Sequence, residues 1–358
     1  MWIKNAWYAA AFSDAVTVDP VPVTLLDTPM VLFRGDGGRL AVLEDRCPHR
    51  SVPLSFGRRV GNTIRCRYHG LQVDTTGACV RIPCQERIPR GAKVKTYPVI
   101  ERHGLVWIWM GQPEGADEAS VPDFSYLDDP AWTACVGYHF VEADYRLIND
   151  NLLDLSHESY VHDTTIGNDA VAQAPVSVER TQTQLRVHRT ILKCDPPPFY
   201  VKATGFTEPI NRWHTTIFTP PATHIIENGS YPATASRNQA LERRVLHAIS
   251  PATRTSSHYF WGVARQYRRG DAALTEYIRT QTAATFDQDK EILELQQQAL
   301  ARSGKPPFSL AFETDSGPIQ ARRMIDQLVA SEAAPVPAPA GDNAGTLRSI
   351  SAQLRSYP

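Results

Sequence analysis

Between Val21 and Trp109 short apolar runs alternate with turn residues, a spacing that predicts strands. Val31-Leu32-Phe33 and Leu40-Ala41-Val42-Leu43 flank Gly35-Asp36-Gly37-Gly38 and read as a hairpin. Leu71-Gln72-Val73 and Ala78-Cys79-Val80 flank Asp74-Thr75-Thr76-Gly77 and read as another. Leu105-Val106-Trp107-Ile108-Trp109 predicts a strand that closes this sheet. Gly111-Gln112-Pro113-Glu114-Gly115 then breaks the pattern and marks a boundary. Beyond it two stretches take on helical character, Asp144 to His162 and Asp271 to Arg302. The expected division is a β domain over 1–115, a second domain over 116–330, and a Pro/Ala-rich tail over 331–358. That tail, with Pro335, Pro337 and Pro339, is expected to be disordered and then to enter a short helix around Leu347–Leu354.

A chain of 358 residues has room for two or three cores. A formal net charge of −1 carries no nucleic-acid footprint, so no nucleic acid is expected as a partner. No apolar run approaches a membrane span, so no membrane is expected either. The N-terminus, Met1-Trp2-Ile3-Lys4-Asn5, lacks the apolar core of a secretory signal, which points to the cytoplasm. Six cysteines in this length do not form a disulfide framework. Cys79, Cys84, Cys135 and Cys194 are read as free thiols.

The other two cysteines carry chemistry. Asp45-Arg46-Cys47-Pro48-His49-Arg50 and Cys66-Arg67-Tyr68-His69-Gly70 each offer one Cys and one His, and 16 residues separate His49 from Cys66. Two such loops can close on one centre from two sides. A Rieske [2Fe-2S] cluster needs this mixture, two thiolates on one iron and two imidazoles on the other. A structural zinc also takes Cys2His2, but a finger usually pairs Cys with Cys and His with His.

Asp144–His162 reads as a helix with an unusual polar load. Asn151, Asp154 and His157 follow at i, i+3, i+6 and share a face flanked by Leu147, Leu152 and Leu155. Polar groups there are costly unless something binds them. His157 and His162 are five apart, so the helix is expected to end or kink just before His162. The plain alternative is two surface histidines on an amphipathic helix. A mononuclear iron site needs two His and one carboxylate, with positions left open for oxygen. Asp289 is the candidate carboxylate. It shares a stripe with Ile278, Thr282, Thr285, Ile292 and Gln296, beside Phe286 and Leu293, while Asp287 and Glu291 point away. Its alternative is a buried carboxylate paired with an arginine. His103, without a partner at ligand spacing, is not a candidate.

With both sites in hand, the chain resembles the oxygenase component of Rieske non-haem iron oxygenases, from Asn5-Ala6-Trp7-Tyr8 to about Val329. It is most similar to vanillate O-demethylase oxygenase subunits, through Asn151–His162, Ala174-Pro175-Val176-Ser177, Arg212-Trp213 and Gln320-Ala321-Arg322-Arg323. It also resembles dicamba O-demethylase and toluenesulfonate methyl-monooxygenase, the latter through Gly77–Val80 and Val106–Trp109. The resemblance implies an α+β chain: an N-terminal Rieske β domain, then a catalytic domain with an antiparallel sheet wrapped around helices. It implies a head-to-tail homotrimer in which the cluster of one subunit serves the iron of its neighbour. Asp154 would be the carboxylate bridging a cluster histidine to an iron histidine across that interface, and Asn151 a polar residue beside the iron. A separate NADH-dependent reductase, carrying flavin and a plant-type [2Fe-2S] centre, would supply electrons.

The expected reaction uses O2 to hydroxylate the methoxy carbon of an aromatic acid, and the hemiacetal collapses to a phenol and formaldehyde. Cys47, His49, Cys66 and His69 would hold the cluster, and His157, His162 and Asp289 the iron. His247 lies where dicamba O-demethylase has a substrate-contacting histidine, a departure from the vanillate enzymes. It is read either as a hydrogen-bond donor to a carboxylate or phenol, or as a strand histidine facing water. Arg212, His214, His224 and Asn228 are expected near the mouth of the pocket. The competing readings are aryl-methyl hydroxylation, dihydroxylation of an aromatic carboxylate or sulfonate, and a Rieske electron carrier without catalysis.

Overall fold

The structure is a computed structural model and describes residues 2–308 and 310–333. The expected tail beyond Ala333 lies outside the described residues.

The N-terminal region is built from three small antiparallel sheets. One has the order β1 (Trp7–Phe12), β10 (Leu105–Trp109), β9 (Val99–Arg102). A second is β2 (Val21–Leu25), β3 (Thr28–Arg34), β4 (Leu40–Glu44). The third is β5 (Arg58–Val60), β6 (Thr63–Arg65), β7 (Gln72–Asp74), β8 (Cys79–Arg81). The expected hairpins are β3–β4 and β7–β8. Strand β3 is apolar on both faces because it serves two cores. Met30 and Leu32 pack with Val106 and Ile108, whereas Val31 and Phe33 pack under Cys47 and Cys66. Strand β10 does the same. Leu105, Trp107 and Trp109 face away from Val106 and join Leu246, Ala248 and Phe260 of the C-terminal sheet. His103, in the turn before β10, lies 2.7 Å from Asp128.

The second region is one seven-stranded antiparallel sheet. Its order is β11 (Thr133–Val141), β17 (Ser256–Arg265), β16 (Leu241–Thr253), β15 (Thr223–Pro232), β14 (Ile210–Thr219), β13 (Leu185–Cys194), β12 (Ser177–Arg180). The helices are α1 (Tyr145–Leu153), α2 (Glu158–Val161), α3 (Asp169–Gln173), α4 (Pro198–Thr204), α5 (Ala272–Ser303) and α6 (Ser316–Ala333). α5 lies against β11 and α6 against β13, with α1 in contact with both helices. Leu147, Ile148, Ile278, Phe286, Met324 and Ile325 fill the space between helices and sheet. The bidentate pair Arg322–Asp150 ties α6 to α1.

One expectation about helices is extended and one is corrected. A helix does end just before His162, since α2 stops at Val161, but the stretch is also broken earlier: α1 stops at Leu153 and Asp154 is extended at φ −89°, ψ 96°. The Asp154 carboxylate accepts from Ser156 N at 2.8 Å and from the Ser156 hydroxyl, a local bond that competes with helix propagation. On α5, Ile292 is 45 % exposed and Gln296 also lies on the surface. At about 100° per residue, Leu293 and Phe286 fall on one side of Asp289 and Ile292 about 60° to the other, beyond the buried face.

Candidate metal centre and its cavity

The break after α1 aims His157. The ring packs back over the turn, with Nδ1 against the Asp154 carbonyl, so Nε2 points forward. His162 follows α2 and is oriented from behind in the same way, its Nδ1 lying 2.8 Å from Gln288 Oε1. Asp289, one residue on along α5, places Oδ1 3.5 Å from His157 Nε2 and 3.2 Å from His162 Nε2. Asn151 Nδ2 donates to the same oxygen at 3.0 Å. One ligand atom from each of His157, His162 and Asp289 lies within 4.8 Å of the others.

This donor set fits a divalent iron: two imidazoles and a carboxylate on one side, both far nitrogens fixed by hydrogen bonds. A carboxylate only 5 % exposed, given one neutral donor, is otherwise poorly compensated, and a cation among these atoms resolves that. The Asp154 carboxylate turns to Ser156, and Asp154 touches His157 through its backbone carbonyl.

The N-terminal loops form a second donor set. Cys47 N donates to Val52 O and Ser51 N to Cys47 O; Cys66 N donates to Leu71 O and Gly70 N to Cys66 O. Each loop is thus closed around its cysteine, and Gly70 supplies the left-handed turn at φ +74°. Cys47 and Cys66 are free, buried in apolar surroundings and adjacent; burial raises the Cys47 thiol, as does its neighbour. His49 and His69 are exposed, with ring centroids 4.5 Å apart. Two thiols inside and two imidazoles outside fit an asymmetric cluster whose histidine end faces outward.

Residues 6–98 match the Rieske [2Fe-2S] domain, and residues 141–331 match the vanillate O-demethylase oxygenase C-terminal domain. The chain belongs to the Rieske non-haem iron oxygenases. It is 37 % identical to the toluene-4-sulfonate monooxygenase system iron-sulfur subunit of Comamonas testosteroni, covering 93 % of this chain and 98 % of that protein. It is 36 % identical to a vanillate O-demethylase oxygenase subunit of a Pseudomonas species, covering 93 % and 96 %. The solved structure of dicamba monooxygenase bound to 3,6-dichlorosalicylic acid superposes with a TM-score of 0.88 at 31 % identity, covering 93 % and 99 %. The cofactors of this Rieske oxygenase are a [2Fe-2S] cluster and a mononuclear non-haem iron. Among the described residues, no helix is long and apolar enough to cross a membrane.

The sheet register explains the cavity beside the iron site. Arg189, His214, Asn228, Arg243 and Arg265 lie directly opposite one another across β13–β14–β15–β16–β17. Two residues along each strand, the next row is Val187, Thr216, Ile226, Val245 and Val263. The row after that includes Phe218, His224, His247 and Trp261. A polar cationic row, an apolar row and a histidine row therefore follow in sequence down one face. The cavity lies between the first two rows and α5, whose Thr282, Thr285 and Phe286 close it one helical turn before Asp289.

Arg212 and Asn228 line this cavity, as does His214. Arg212 is engaged within the wall: Nη1 donates to Ile166 O at 2.9 Å and the guanidinium stacks on Tyr200. His224 is not at a mouth. It is fully buried, its Nε2 2.9 Å from Asn149 Oδ1, in the third row away from the opening. Nor does His247 face water. It is 0 % exposed, behind Phe286, its Nδ1 2.8 Å from the Tyr259 hydroxyl. Burial, with nearby His214, lowers His247 to about 3, so its ring is neutral.

Sequence reasoning missed Gln288, Glu158 and Arg243. Glu158 is buried between Arg189 (2.7 Å), Arg212 (3.7 Å) and His214 (2.9 Å). Burial pushes its carboxyl up, but Arg189, His214 and Arg212 outweigh that and hold it well below the ordinary range. Burial keeps His214 below its own ordinary value, so its ring is a neutral donor to Glu158. The alternation Arg243, Val245, His247 was the readable signal for β16, but it does not say which face is inward.

Proposed function

We propose that this chain is the terminal oxygenase of a system that O-demethylates a methoxylated aromatic acid. The observation that carries the reading is the His157–His162–Asp289 set one helical turn from a cavity with apolar walls and a cationic end. An aromatic ring suits Ile226, Val245, Val263 and Phe286, and an acid suits the row beyond them. Vanillate and dicamba O-demethylases among the relatives support the same reaction.

His157, His162 and Asp289 would hold the iron, and Cys47, His49, Cys66 and His69 the cluster. When bound, the cluster supplies single electrons and the iron supplies oxygen activation. The protein's own part is to fix geometry. Asp154 and Gln288 hold the two imidazoles from behind, and Asn151 orients the carboxylate. The apolar row and Phe286 keep water from the ring. One O2, two electrons and two protons convert the methyl ether into a phenol, formaldehyde and water. The electrons come from NADH through a separate reductase with flavin and a plant-type [2Fe-2S] centre. The working assembly is a cytoplasmic homotrimer in which the Asp154 carboxylate reaches a cluster histidine of the next subunit.

The test is oxygen uptake and formaldehyde release, followed together with a surrogate reductase, NADH and a panel of aromatic acids. Formaldehyde equal to oxygen consumed, for a methoxylated acid only, is the expected result. The similarity to a toluene-4-sulfonate monooxygenase subunit favours a second reading, hydroxylation of an aryl methyl group. Oxygen uptake with a benzylic alcohol and no formaldehyde would replace the first reading with this one.

A further inference from the structure

Among the described residues, Arg243 is the cavity-lining cation left without a counter-charge. Its residue is 7 % exposed, yet no carboxylate lies within ion-pair distance of it among the described residues. Glu158 is already shared by Arg189 and Arg212. Across the sheet, Arg243 stands opposite Asn228 on one side and Arg265, another cation, on the other. Glu242, its neighbour in sequence, and Glu227, opposite Arg244 on β15, are both engaged with Arg244. Nε donates to Asn228 Oδ1 at 2.9 Å, which fixes the rotation of the guanidinium. The plane is held against Phe199 at 4.5 Å and Tyr200 at 4.9 Å. The two Nη groups make no hydrogen bond among the described residues, and the side chain lines the cavity.

Buried charges are normally paired, and stacking on two rings offsets only part of the cost of stripping water from a guanidinium. A planar fork held by its inner nitrogen and clamped by rings is preorganised for two parallel bonds to a carboxylate or a sulfonate. We infer that Arg243 is the anion anchor of this cavity: its free edge takes the carboxylate or sulfonate of the aromatic substrate. The ring then lies along the apolar row of Ile226, Val245 and Val263, with its far end directed toward the iron site. This rests on the reading of the chain as an oxygenase of aromatic acids and adds the residue that selects for the acid.

The probes are 4-methoxybenzoate, 4-methoxybenzenesulfonate and 4-methoxybenzamide, which share ring and methoxy group and differ in charge. Binding to the metal-loaded protein is measured by calorimetry without reductant, so turnover is not required. The wild type is expected to prefer at least one anion over the amide by about 10–100-fold, the scale of hydrogen bonds to a charged group. The carboxylate and sulfonate arms show which acid the site takes. Arg243→Met is expected to collapse that preference, and Arg243→Lys to restore part of it. Without ligand, Arg243→Met should melt close to the wild-type temperature, because the free edge it removes faces the cavity and holds no partner in the protein. A wild type with no preference for either anion overturns the inference. So does an Arg243→Met protein that keeps the preference, or one that melts lower and loses acid and amide alike, the mark of a structural arginine. Formaldehyde release separates the two proposals. Collapse of the anion preference without any formaldehyde from the acids leaves the anchor and removes O-demethylation; formaldehyde from acid and amide alike does the reverse.

Discussion

Replacing Glu158 with Gln keeps the shape of the side chain and deletes its charge. In the native protein that charge faces Arg189 Nη2 at 2.7 Å and Arg212 Nη2 at 3.7 Å, with His214 Nδ1 at 2.9 Å. The Arg189 contact is an ion pair rather than an aligned hydrogen bond, so its worth lies in charge and an amide cannot replace it. Arg189 and Arg212 are each 1 % exposed and have no other carboxylate within ion-pair distance among the described residues. Breaking a buried pair in this way costs about 3–5 kcal/mol. Urea unfolding followed by tryptophan fluorescence should show the midpoint falling by about 1 M or more. The sign of the pH dependence follows from the depressed carboxyl. A folded value below the unfolded one gives stability that is present above the unfolded value and lost as pH falls toward the folded value. The difference between wild type and Glu158→Gln should therefore stay flat between about pH 8.5 and 7.5, above an ordinary glutamate and above the ordinary histidine value at which His214, coupled to Glu158, would add its own change. A loss under about 1 kcal/mol would refute the claim that Glu158 is the keystone of the charge on this wall. A difference that grows or shrinks across that pH range would refute the assignment of an ionised carboxylate.

Gln288→Leu removes the acceptor behind His162 and should weaken mononuclear iron binding by about 10–100-fold while the cluster's visible spectrum is unchanged; metal analysis after dialysis reads both. Asp154→Asn should keep both metals and lose steady-state turnover. Single-turnover reduction of the iron by a pre-reduced cluster would then be slowed, and normal turnover would remove Asp154 from the electron path. His247 has a folded value lowered to about 3, so the stability it contributes is lost as pH falls below the ordinary histidine value. His247→Gln should therefore reduce the fall in stability between about pH 7 and 5.5 by about 1 kcal/mol, measured as urea midpoints at the two pH values.

Local signals in the sequence were legible where they were strong and short-ranged. The β3–β4 and β7–β8 hairpins follow from short apolar runs around glycine-containing turns, and the two Cys-His loops follow from spacing alone. His157 and Asp289, placed by helical spacing, and His162, five residues beyond His157, do meet in the structure. The end before His162 was legible, but the earlier break at Asp154 was not, because a side chain bonding to Ser156 ends α1 while the apolar pattern runs on. The cavity wall was out of reach for another reason. Its rows are assembled by register across five strands, and a one-residue slip would present the opposite set of side chains. His224 and His247 could thus be named as pocket candidates, but not seen as buried neighbours behind the lining.

Strand β16 carries the cavity residues Arg243 and Val245 on one side and presents Leu246 and Ala248 to Trp107 of β10 on the other. Leu26 and Asp27 also donate their backbone N–H groups to Pro251 and Ala252 of the same strand, at 2.9 Å each. The electron-accepting module and the substrate-selecting wall thus share a single sheet of packing. Recombining this N-terminal module with the catalytic half of a relative is then not a matter of joining two beads at a linker. A chimera that keeps every metal ligand but changes Trp107 or the β16 residues beneath it would shift the strand that carries Arg243, and substrate preference would change without any substitution in the pocket.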